Sequence, residues 1–193
     1  MICLYERARA AFSAYAGMDA PDLPSAEWSA AQVRHARWQS QQFGAHPVGS
    51  FVLGIVEEVC DELLRASEAE DLAGVQDACA DAMIFATGLC TACRLDFGVV
   101  CSENVSREVD PEWAAVVACG RLARLALKSA QGIRGIDDEA LRRGVFNEVR
   151  ALVSALHAIA EARGFWLRDA YFKTLDRVLR RDWRADAMKG GEE

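Results

Sequence analysis

The sequence predicts an all-α fold, and two observations carry that reading. Alanine, leucine, arginine and glutamate dominate a chain that nowhere shows the period-two alternation of a strand. The four prolines, Pro21, Pro24, Pro47 and Pro111, fall at junctions rather than inside the apolar runs. With 193 residues, 52% hydrophobic and 26% charged, the chain has the length and balance of one substantial globular domain or two small ones sharing a core.

The elements follow in order. A first helix ends near Gly17, where Gly and Pro take over. Ser25 is a candidate cap for a helix through Trp28, Val33 and Trp38 to about Phe43. Residues 44–47 read as a turn. A long helix covers 48–66, a polar break 67–71, and another helix 72–94. Residues 98–111 are the best candidate linker. Beyond it come a helix over 113–129, a Gly-rich loop over 131–135, a helix over 138–163 and a last one over 167–183, before a tail expected to fray.

The two sides of the linker share a layout of helix, short break, helix. LGIVEEVCDELLRA and DACADAMIFATGLC stand on one side, AVVACGRLARLALK and NEVRALVSALHAIA on the other. The expected organisation is an N-terminal extension (1–24), a catalytic half (25–97), the linker (98–111), a second, degenerate helical-hairpin half (112–186) and a tail (187–193).

Composition excludes several classes. A net charge of −7 argues against non-specific nucleic-acid binding, which needs clustered Lys and Arg. It does not exclude a polyanionic small substrate, because divalent cations reverse the local sign. No run of about 18 apolar residues occurs, so no membrane span is expected, and charges near the N-terminus speak against a secretory signal. Seven cysteines, several of them in apolar helical runs, suit reduced core thiols in a cytoplasm. Cys90 and Cys93 make a single CxxC with no second pair to complete a zinc site.

Chemistry concentrates in Gly54-Ile55-Val56-Glu57-Glu58-Val59-Cys60-Asp61-Glu62-Leu63. On an α-helix Glu57 and Asp61, four apart, and Glu58 and Asp61, three apart, share a face. Asp77 and Asp81 are four apart on the next helix, and Asp81 borders the apolar run Ala82-Met83-Ile84-Phe85. Like charges at this spacing repel, and burying them unpaired costs more. No Lys or Arg between residues 48 and 64 neutralises the first cluster. A hard cation such as Mg²⁺, which prefers carboxylate and phosphate oxygens, resolves the conflict. Taken singly, each acid is more often an ordinary solvated side chain; the combination within an apolar run is harder to dismiss. A di-iron bundle needs Glu-x-x-His pairs, and His35, His46 and His157 form none.

Residues 53–64 followed by DACADAMIF resemble the MazG-like all-α nucleoside triphosphate pyrophosphohydrolases. Trp38, Phe43-Gly44, Pro47, the KSAQGIRG phrase at 128–135 and RDWRAD at 181–186 extend the resemblance over most of residues 28–186. It implies a helical bundle of that type, Mg²⁺ (with Mn²⁺ as an alternative), and cleavage of a (d)NTP to the monophosphate and pyrophosphate. Two departures stand out. The third acid of the first motif is Asp61 rather than Glu, and KxxQGIRG follows the second, acid-poor copy, where Val117, Ala118, Arg121, Asn147 and Ala151 replace the acids. Dimeric dUTPases of the same superfamily offer a precedent for such an internal fusion.

The expected metal ligands are Glu57, Glu58, Asp61 and Asp81, with Glu57 or Asp77 orienting or deprotonating the attacking water. Lys128, Arg134, Lys173, Arg177 and Arg181 are candidates for phosphate, the last three spaced four apart on one helix, although such a stripe is more often a solvated face. Trp38 is a candidate for stacking on a base, though more often such a residue is plain core. The partners expected are a nucleotide, with no nucleic acid and no membrane; a homodimer is left open. The competing reading is a non-catalytic helical module that kept the fold and lost turnover. A third keeps the hydrolase but changes the substrate to dUTP, dCTP or an alarmone such as ppGpp.

Overall fold

The computed structural model describes residues 24–102, 110–133, 138–183 and 185. The expected N-terminal helix and tail, and Arg134, lie outside the described residues. Within them the chain is helical, with no strand. Helix α1 spans Pro24–Gln42, α2 Val48–Glu57, a π-helical turn Glu58–Leu63, α3 Leu64–Glu68, α4 Leu72–Ala92, α5 Phe97–Ser102, α6 Pro111–Ala130, α7 Asp138–Arg163 and α8 Leu167–Arg180.

Boundaries shift where local chemistry decides them. Helix α1 begins at Pro24, so Ser25 lies inside it rather than capping it. The start of α6 is set by Asp110, whose carboxylate accepts from Trp113 N at 3.0 Å, with Pro111 in the first turn. Residues Phe97–Ser102, read from sequence mainly as linker, form α5 and bury Phe97, Gly98 and Val100. Gln32 holds that segment to α1: its Nε2 donates to Leu95 O at 2.8 Å, and its Oε1 accepts from Phe97 N at 2.8 Å.

The organising element is α4, which packs against α2, the π turn, α7, α8 and α1. Its sequence is rich in Ala, Gly and Cys, and twelve of its residues are buried around the whole circumference. Small side chains let neighbours approach on every side, as a central helix requires. Two glycine–phenylalanine pairs set its contact with α2. The Phe85 ring lies where a Cβ on Gly54 would stand, 2.4 Å away, and the Phe51 ring covers Gly88 at 2.3 Å. Helices α6 and α7 form a second hairpin, with α2 against α6 and α4 against α7, and the buried residues of both hairpins join in one core.

Helix α8 lies across α4 through Leu167, Tyr171, Thr174 and Leu175, a stripe at helical spacing. Tyr171 is fully buried, 3.1 Å from Thr87 Oγ1. Thr87 already donates to Met83 O at 2.8 Å, so the phenol is the donor to Thr87. This bond fixes the rotation of α8 and thereby aims Arg177 at α4.

Candidate functional site

The acid-bearing helix is not a regular α-helix. From Glu58 to Leu63 it widens into a π turn, which inserts one extra residue and brings side chains four to five apart onto one face. Glu58 and Glu62 therefore share the face turned toward α4, whereas Asp61, three on from Glu58, is rotated away. Asp61 instead hydrogen-bonds Arg65 one turn along, and both are more than half exposed. Asp61, expected among the metal ligands, is thus paired with Arg65 in solvent, and Glu62 faces α4 beside Glu58. Arg65, just beyond the base-free residues 48–64, is the partner of Asp61 in solvent.

Glu58 is the centre of the site. It is 91% removed from solvent, and its Oε2 has no hydrogen-bond partner. Burial pushes its pKa up to about 8, and the carboxylates of Asp81, Glu62, Glu57 and Asp77, in that order, push the same way. Asp81, half-buried on α4, is raised to about 6 by burial first, then by Asp77 and Glu62, against the opposing pull of Arg177 and Arg181. Each acid on one helix is thus held up partly by the acids of the other. Glu57 is exposed beside this group.

The basic residues predicted for phosphate have different fates. Arg177 crosses from α8 to place Nη2 2.6 Å from Asp77 Oδ1 and 3.9 Å from Asp81 Oδ2. Arg181 acts on Asp81 from just beyond α8, with its guanidinium 5.5 Å from the Trp183 ring centre. Lys173 is exposed one turn before Arg177. Lys128 stands nine residues beyond Cys119, which marks the level of the π turn on α6; that is about 13 Å of helix rise away from it. Trp38 is half-buried; its Nε1 donates to Arg181 O at 3.2 Å, and its ring meets Phe43 edge-on at 5.6 Å. This bond and that from Trp183 N to Gln42 Oε1, 3.1 Å, hold the segment after α8 against α1.

Two participants escape a sequence reading. Glu62, four residues from Glu58, is within reach on a regular α-helix as well, and the wider turn decides between it and Asp61 by rotating Asp61 away. Arg177 was visible as a cation, but its pairing with an acid 100 residues earlier was not. Among the described residues no three His, Cys, Asp or Glu side chains are drawn together into a closed metal shell. The charges explain this: four mutually repelling carboxylates spread, and Arg177 takes two of them. The donor set nevertheless fits a hard cation, since Glu58 presents a buried, unpartnered carboxylate oxygen toward further acids.

In the second hairpin the corresponding faces carry different chemistry. Arg121 of α6 stands 3.6 Å from Glu148 of α7, a cation and an acid satisfying each other. No comparable concentration of acids faces across α6 and α7.

The all-α fold of the described residues is consistent with a MazG-like helical domain. Residues 31–108 match the model of the phosphoribosyl-ATP pyrophosphohydrolase family. That stretch, which carries both acid-bearing helices, is thus similar to a family of all-α pyrophosphohydrolases. Helices α6, α7 and α8 lie outside the matched residues. No curated protein and no solved structure matches the chain. No helix among the described residues is long and apolar enough to cross a membrane.

Proposed function

We propose that the protein hydrolyses a nucleoside triphosphate, or a nucleotide built like one, between its α and β phosphates in a Mg²⁺-dependent reaction. The observation that carries this reading is the Glu58 carboxylate, buried, unpartnered and surrounded by further acids. A structure does not retain such a group for stability, because its burial costs free energy in every ionised state. Bound Mg²⁺ would supply charge neutralisation of the phosphate oxygens and a coordinated water of lowered pKa.

Glu58, Asp81 and Glu62 would hold the cation. Asp77 anchors Arg177, whose guanidinium is positioned to meet phosphate oxygens once the cation satisfies the acids. Glu57, exposed beside Glu58, would accept the proton of the attacking water. The water oxygen bonds to the α phosphorus, the bridging oxygen leaves with pyrophosphate, and the monophosphate remains. The α6–α7 hairpin, with its Arg121–Glu148 pair, serves as packing partner to the acid-bearing hairpin rather than as a second site.

The test is pyrophosphate release from a panel of NTPs, dNTPs including dUTP and dCTP, and phosphoribosyl-ATP, with and without Mg²⁺. Metal-dependent release by the wild type, abolished in Glu58→Gln, supports the reading. No metal-dependent release from any member removes it in favour of a non-catalytic helical module.

A further inference from the structure

We infer that Cys60 and Cys119 form a reversible disulfide that ties the acid-bearing π turn to the second helical hairpin. Cys60 sits within the π turn, between Glu58 and Glu62, and is exposed. Cys119 is buried on α6, which packs against that turn. Burial first, and then the neighbouring Cys60 thiol, push the pKa of Cys119 up. Independently, Cys119 Sγ lies 3.9 Å from Ile55 O, one turn back along the helix that carries Cys60. That contact, and the packing of α6 on the π turn, put the Cys119 sulfur beside the helix that carries Cys60.

The pair has the division of labour such a device needs: one sulfur open to solvent and one shielded behind it. The remaining described cysteines lack it. Cys79, Cys90 and Cys93 are buried, and Cys101 is half-buried on α5. The oxidant is a hydroperoxide. The Cys60 sulfur attacks its terminal oxygen, the O–O bond breaks, and Cys60 sulfenic acid forms with release of water or alcohol. The Cys119 sulfur then attacks the Cys60 sulfur, the S–O bond breaks, water leaves, and the disulfide remains. The peroxide is reduced by two electrons and the two thiols are oxidised by two; a dithiol reductant reverses the change by exchange.

The bridge joins residues far apart in sequence and on opposite hairpins, so it restricts the unfolded chain and raises the melting temperature of the oxidised form. This inference does not depend on the hydrolase reading, and its test needs no substrate. The full chain is treated with hydrogen peroxide under non-denaturing conditions, alkylated, digested and analysed by mass spectrometry. Expected are a linked peptide pair containing Cys60 and Cys119, a melting temperature raised relative to the reduced protein, and reversal of both by dithiothreitol. Cys119→Ser should instead leave a sulfenic acid at Cys60 that dimedone traps, and Cys60→Ser should give no linked pair. Recovery of Cys60 as unlinked sulfenic or sulfinic acid in the wild type, or linkage of Cys119 to a different cysteine, overturns the inference.

Discussion

Arg177 Nη2 lies 2.6 Å from Asp77 Oδ1, joining α8 to the acid-bearing face of α4 across 100 residues of sequence. The same nitrogen stands 3.9 Å from Asp81. A guanidinium therefore occupies the cationic position that the acids demand, and it does so without touching Glu58.

Arg177→Met should leave Asp77 and Asp81 facing Glu58 and Glu62 with Arg181 as the remaining nearby cation. Both members of the Arg177–Asp77 pair are about half exposed, so the direct loss is small, about 0–1 kcal/mol. The informative quantity is the response to metal. Thermal melts with and without Mg²⁺ should show a larger metal-induced rise in Tm for the variant than for the wild type, because the ion no longer competes with the guanidinium. An equal rise in both would show that Arg177 and the ion do not compete for these acids.

The register of the π turn predicts opposite outcomes for two adjacent acids. Glu62→Gln should lower metal-dependent pyrophosphate release by roughly tenfold or more, since Glu62 acts on both Glu58 and Asp81. Asp61→Asn removes only an exposed pair with Arg65 and should leave turnover near that of the wild type. The reverse result would contradict the placement of Glu62 toward α4 and of Asp61 in solvent.

Stability should depend on pH in a direction set by the raised pKa values. Glu58 binds a proton in the folded protein up to about pH 8, whereas its ordinary value is 4.5; Asp81 is raised from 3.8 to about 6. Between those limits the folded state holds more protons than the unfolded chain, so stability falls as pH rises. The combined contribution is fully present below about 3.8 and lost above about 8. Urea melts of metal-free protein across this window should show that decline, and Glu58→Gln should flatten it. Mg²⁺ should reduce the decline, because the ion binds the ionised carboxylates.

The glycine–phenylalanine pairs predict a packing defect. A methyl group on Gly88 would stand 2.3 Å from the Phe51 ring, which is itself buried. Gly88→Ala should destabilise the protein by about 1–3 kcal/mol, and Phe51→Leu in the same chain should recover part of that loss. Chemical denaturation of the two variants measures both.

The fold was legible because composition, helical patterning and proline placement all agree. Every long helix found among the described residues was expected, and the boundaries moved only where a cap such as Asp110 or a buried residue such as Phe97 decided them. The acids on α2 and α4 were equally legible, since several carboxylates within apolar runs have few structural explanations. Which acids converge was not. The wider π turn arises within the helix, and it rotates Asp61 off the face it would share with Glu58 on a regular α-helix, without any change in residue type to announce it. The phosphate candidates divided for a related reason. Arg177 meets the acids because Tyr171 and Thr87 fix the rotation of α8, whereas Lys128 sits at a different level of α6.

Calorimetric titration of the metal-free protein with Mg²⁺, repeated with Glu58→Gln, tests the central claim most directly. The wild type should bind the ion with an affinity that rises between about pH 6 and 8 as the acids ionise, and the variant should lose most of that affinity while keeping its helical content. Equal binding by the two proteins, or none by the wild type, would contradict the account.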